Sequence, residues 1–92
     1  MKLTEEKILK LVEKYDDCII EEIYENHKEM GNWCIITCDL KEETVDGQDC
    51  LIGGIFDLMT DLEKYDNVTI EDDTIENDDG DGYFEYVSIE WK

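Results

Sequence analysis

Apolar and polar positions alternate along this chain in two recurring rhythms, one helical and one strand-like. Thr4-Glu5-Glu6 reads as a helix start, with Thr4 placed to cap and two carboxylates at the positive helix end. Ile8, Leu11, Val12 and Tyr15 then fall on one face at helical spacing, and the helix is expected to end near Asp16-Asp17. The next stretch admits two readings. The same stripe continues through Ile19, Ile23 and Met30 as one long helix, or Cys18 to Glu25 is a strand that turns through residues 26–32 into a second strand, Trp33 to Leu40. The β-branched run Cys18-Ile19-Ile20 favours the strand.

An internal echo decides between them. Glu13-Lys14-Tyr15-Asp16 recurs as Glu63-Lys64-Tyr65-Asp66, and at the same offset Ile20-Glu21 meets Ile70-Glu71, Val12 meets Leu62 and Trp33 meets Tyr83. Each copy reads as helix, strand, polar turn, strand. The second turn, Asn77-Asp78-Asp79-Gly80-Asp81-Gly82, is a turn by composition. A repeat of this kind means that one unit cannot bury its apolar face alone and two can by pairing. Between the copies, Lys41 to Asp49 is polar and is expected to be a loop. The second helix carries Leu51, Ile55, Leu58, Met59, Leu62 and Tyr65 on one side. Gly53-Gly54 marks either a weak first turn or a close approach to the sheet.

The expected fold is therefore α+β, an αββαββ pseudo-repeat with a mostly antiparallel sheet of about four strands packed with two helices. It forms a single domain, residues 1–92, with units 1–40 and 50–92 flanking the 41–49 loop. The strand Cys18 to Glu25 has apolar residues of both parities, and so does the last strand, with Phe84 and Tyr86 alternating with Val87, Ile89 and Trp91. Either both sheet faces are covered, or some of these residues serve an interface.

Charge changes the picture. Twenty-seven acids stand against eight lysines, with no arginine, for a net charge of -19. The last third, residues 61–92, holds twelve acids and two lysines, so about half the net charge lies there. Ordinary solubility needs far less. Compactness at this length implies a diameter of roughly 30 Å, and duplex DNA carries one charge per ~1.7 Å of axis, so the net charge matches that of an equal length of duplex. Such a chain repels nucleic acid and suits a basic partner. No stretch reads as a signal peptide or membrane span, so the protein is expected in the cytoplasm with Cys18, Cys34, Cys38 and Cys50 reduced.

Candidate chemistry is sparse. The chain has one histidine, His27, and one serine, Ser88, on opposite hairpins and in no nucleophile motif. A His27–Cys34 pair reads as a turn histidine and a core cysteine, and no enzyme is expected. The cysteines lack a C-x-x-C spacing, and Cys34 and Cys38 share a strand face with Ile36 as core thiols do. A calcium-loop alignment places Asn77, Asp79 and Asp81 at the first three ligand positions, Phe84 at the apolar position and Glu85 at the ninth. It then fails at the twelfth, Ser88, where a bidentate glutamate is required. At most this predicts weak binding by clustered carboxylates. No metal or cofactor is expected.

In size, charge and lack of a catalytic constellation the chain resembles the small acidic DNA-mimic inhibitors of phages and mobile elements, the anti-CRISPR and anti-restriction class. The resemblance implies an inhibitor that occupies the basic groove of a nucleic-acid-binding defence protein, such as a CRISPR effector or restriction enzyme, without binding nucleic acid or membrane itself. The expected contacts are Glu71, Asp72, Asp73, Glu76, Asp78, Asp79 and Asp81. Asp16, Asp17, Glu21 and Glu22, at or near the equivalent positions of the first unit, come second. The alternative is a protein-binding module, an immunity-type inhibitor or adaptor, anchored by Trp33, Phe84, Tyr86 and Trp91.

Overall fold

The computed structural model describes residues 2–27, 31–76 and 82–92. The elements are α1 (Glu5–Glu13), β1 (Cys18–His27), β2 (Gly31–Val45), β3 (Gln48–Ile52), α2 (Gly54–Leu62), β4 (Val68–Glu76) and β5 (Tyr83–Trp91). This is the expected α+β class, with five strands rather than four. The main sheet runs β1-β2-β5-β4, antiparallel throughout, and β3 pairs with the far end of β2.

The expected loop at 41–49 is instead a hairpin. Strand β2 runs on to Val45 and β3 returns from Gln48. Asp46 and Gly47 turn the chain with φ of 51° and 82°, the left-handed pair that a two-residue hairpin requires. Residues 41–49 are all exposed, so no face of this hairpin shows the apolar alternation by which strands are recognised. Leu51 accordingly lies in β3, not in the second helix. The hairpin extends the body to 44 × 27 × 19 Å, longer than the roughly 30 Å of a compact chain this size.

The central ladder places everything else. Strands β2 and β5 pair from Asn32↔Trp91 to Leu40↔Tyr83. Counted at 51 residues, one more than the echo, this register maps onto itself with each face kept: Cys34↔Ile89 becomes Cys38↔Glu85, and Trp33↔Glu90 becomes Asp39↔Phe84. The two αββ halves are thus related by a pseudo-two-fold axis through the middle of the ladder. Both helices lie on one sheet face. Ile8 and Val12 of α1 and Ile55, Leu58 and Leu62 of α2 pack on Cys34, Ile36, Val87 and Ile89. Trp91 is 3 % exposed in this core, which removes it from the expected surface anchors.

The halves hold each other's helices at symmetric places. Asp17 Oδ2 accepts the Gly54 N–H at the start of α2 at 3.0 Å. Asn67, fifty residues on, accepts the Leu3 N–H just before α1 at 2.7 Å and donates to the Leu3 carbonyl. Tyr15 donates to Asp61 of α2 at 2.7 Å, and this bond, with burial, pushes the phenol up to about 12. Lys7 sits over the ring of Tyr65.

The Gly53-Gly54 pair permits close approach. A Cβ at Gly53 falls 2.7 Å from Leu40 Cδ2, and one at Gly54 falls 2.7 Å from Asp17 Oδ1 and 3.0 Å from Tyr15 Cβ. Gly54→Ala is therefore expected to cost about 1–3 kcal/mol, the range for overpacking, read as a lower urea midpoint. An unchanged midpoint would show that the α2 start is not held against Asp17.

Candidate functional site

Among the described residues, the face of the sheet opposite the helices has no layer upon it. It is built by strand alternation. Strand β2 presents Trp33, Ile35 and Thr37 there, β5 presents Phe84, Tyr86 and Ser88, and β4 presents Glu71, Asp73 and Ile75. The mixed parity of β1 resolves through a bulge. Its register with β2 shifts between Ile20 and Glu22, so Cys18, Ile20 and Ile23 all reach the helix side, while Ile19 and Tyr24 stay on the open side. An extra residue in one strand of a pair has this effect. The bulge also turns both Glu21 and Glu22 onto the open face, where Thr37 donates to Glu21 Oε1 at 3.1 Å.

The centre of this face is aromatic and ordered by contacts. Tyr24 and Trp33 stack with ring centroids 5.4 Å apart and planes at 16°. Trp33 Nε1 donates to Ser88 Oγ at 2.7 Å, so the only serine supports an indole ring. Ile35 is 6 % exposed although no helix covers it. A groove of about 460 Å³ crosses all four strands, lined by Glu21, Glu22, Ile35, Thr37, Ile75, Phe84 and Tyr86. Its floor is apolar, and its lining includes no basic residue among those described.

The expected contact residues divide between the two faces. Glu71 and Asp73 stand at the β4 margin of the open face, and Glu21 and Glu22 at the β1 margin. All four are exposed. Asp72 and Glu76 point to the helix side, where they remain exposed because neither helix reaches them. Asp16 is exposed in the turn after α1. Asp17 is half-buried, with its Oδ2 accepting the Gly54 N–H at the start of α2. Asp78, Asp79 and Asp81 lie outside the described residues, as do Asn77, and with it the first three ligand positions of the calcium-loop alignment, and the side chain of His27. Cys34 is fully buried, which pushes its thiol up to about 12, the reverse of what a nucleophile requires.

The burial of Glu85, aligned with the ninth position of a calcium loop, was not expected. Glu85 is 1 % exposed, on the helix side of β5 in line with Val87, Ile89 and Trp91. Thr74 donates to its Oε2, and Oε1 has no partner. The signal was present, since Glu85 occupies the buried phase of an alternating strand. Burial holds its carboxyl above the usual range, and the Asp72 and Asp73 carboxylates push the same way.

No protein-family model, curated protein sequence or solved structure matches this chain.

Because its folded pKa is raised, Glu85 contributes stability that is fully present below its unfolded pKa of ~4.3 and lost as pH rises through the folded value. Glu85→Gln is therefore expected to raise the melting temperature at pH 7 by on the order of 5 °C, the shift that about 1 kcal/mol makes in a domain this size. That gain should shrink as the pH falls toward 4. Thermal scans of both proteins across this range check it, and a gain independent of pH contradicts the assignment.

Proposed function

We propose that this protein is an inhibitory binding protein that mimics DNA and blocks the basic groove of a nucleic-acid-binding protein, of the kind found in CRISPR or restriction defence. The observation that carries this reading is the open face, an apolar floor between two carboxylate margins. Glu21 and Glu22 stand on β1 and Glu71 and Asp73 on β4. The margins are three strand steps apart, or roughly 14 Å at ~4.8 Å per step. A duplex presents two phosphate rows flanking a major groove about 12 Å wide. A basic surface shaped for that spacing meets a comparable double row here. The net charge of -19 along 44 Å of body amounts to about one charge per 2.3 Å, against one per ~1.7 Å for duplex. Such a field speeds encounter with a basic partner and weakens with salt.

The centre of the face favours a second reading, a protein-binding module in which Trp33, Tyr86 and Phe84 are anchors and charge serves for steering. Large aromatics at the middle of a polar rim are the usual carriers of protein–protein affinity. Both readings share the site and differ in which residues hold the partner.

The test captures nucleic-acid-binding proteins from a bacterial lysate on the immobilised chain and challenges them with duplex DNA at fixed salt. Mimicry predicts displacement by DNA. It also predicts that Glu22→Lys, Glu71→Lys and Asp73→Lys together weaken binding by at least a hundredfold while the circular dichroism spectrum is kept. Tyr86→Ala is expected to cost less than the triple reversal. A partner that DNA does not displace, and that Tyr86→Ala releases, transfers the function to the aromatic anchors.

A further inference from the structure

On the opposite side of the sheet, the start of α2 closes over a pair of thiols. Cys18 and Cys38 face each other across β1 and β2. The Asp39 N–H donates to the Asp17 carbonyl at 3.3 Å, so residues 17 and 39 form the hydrogen-bonded pair. Residues 18 and 38 are then a non-hydrogen-bonded pair, with Cα atoms ~4.5 Å apart and side chains closest together. Both cysteines are free and buried. The Asp17 carboxylate completes the cluster. The Cys18 thiol donates to its Oδ1 at 3.9 Å, and its Oδ2 is held by the Gly54 N–H. One donor atom from each of the three residues lies within 4.8 Å of the others.

We propose that Asp17, Cys18 and Cys38 form a binding site for a thiophilic divalent cation of the zinc class, held by two thiolates and one carboxylate oxygen with a fourth position left for water. Two sulfurs and an oxygen are a donor set that zinc accepts in four-coordinate sites, while calcium and magnesium require oxygen alone. The surroundings are those of a prepared ligand set. The Gly54 N–H fixes one carboxylate oxygen and leaves the other turned toward the thiols. The Ile55 N–H donates to the Cys38 sulfur. Outer hydrogen bonds of this type orient metal ligands.

The pseudo-symmetry supplies an internal control. At the corresponding end of the second unit Asn67 and Val68 replace Asp17 and Cys18, and Trp91 lies opposite Val68. Asn67 tethers the start of α1 with a neutral amide. A helix tether therefore does not require a carboxylate, and only the first unit places one beside two thiols. No two cysteines have chelating spacing along the chain. Strand pairing brings together two that are twenty residues apart.

Cobalt(II) titrated into the reduced full-length protein tests the site. The expected result is saturable uptake of one cobalt per chain, with a sulfur-to-cobalt charge-transfer band, the strong visible bands of a tetrahedral centre, and displacement by zinc. Cobalt held by surface carboxylates gives weak octahedral bands and no sulfur band, so the wild-type spectrum alone decides between the two. Cys18→Ser and Cys38→Ser together are expected to abolish the sulfur band, and Cys34→Ser and Cys50→Ser to keep it. Asp17→Asn mirrors the natural Asn67 tether, and so tests the carboxylate with that tether retained. It is expected to weaken affinity by at least the about tenfold loss that follows removal of even an outer-sphere partner. Absence of the sulfur band in the wild type, its persistence when Cys18→Ser and Cys38→Ser are combined, or an unchanged affinity in Asp17→Asn overturns the proposal.

Discussion

Strands β2 and β5 run side by side over nine residue pairs, and that ladder places each half of the molecule against the other. It sets Cys34, Ile36, Val87 and Ile89 as a floor that both helices share. Neither αββ unit has a floor of its own, because each central strand supplies only half of it. The ladder works against a strong opposing term, since -19 net charges disfavour any compact state. The carboxylates avoid the shared floor almost entirely, and Glu85 at its edge is the one buried charged residue among those described.

The same alternation that builds the core also builds the open face. A sheet with helices on one side must leave its other phase uncovered. Here that phase carries Trp33, Ile35, Phe84 and Tyr86 in the middle and carboxylates at the margins. The β1 bulge is the local device that joins the two functions. It lets β1 give three apolar side chains to the core and still set Glu21 and Glu22 side by side on the opposite face. Without the extra residue Ile23 points to the open side, which is the conflict of parity visible in the sequence.

The helices, the paired hairpins and their fifty-residue relation were legible because each rests on local periodicity or on direct repetition, as in Glu13-Lys14-Tyr15 and Glu63-Lys64-Tyr65. The β2–β3 hairpin was not, since all of residues 41–49 face water and only Asp46-Gly47 marked the turn. Among the candidate contacts, the outward phase of Glu71 and Asp73 followed from counting along β4. The tether made by Asp17 depends on where α2 begins in space, and the pairing of Cys18 with Cys38 depends on register across a turn. Neither is encoded in residue spacing along the chain.

Under the proposed function the open face, and not the helix side, meets the partner. Carbodiimide labelling of carboxylates, read residue by residue by mass spectrometry in the free protein and in complex with a DNA-displaceable partner, measures this directly. The account predicts protection of Glu21, Glu22, Glu71 and Asp73, with Glu13, Asp57 and Glu63 on the helix side labelled as in the free chain. Protection of the helix-side carboxylates with the open-face four unchanged would contradict it.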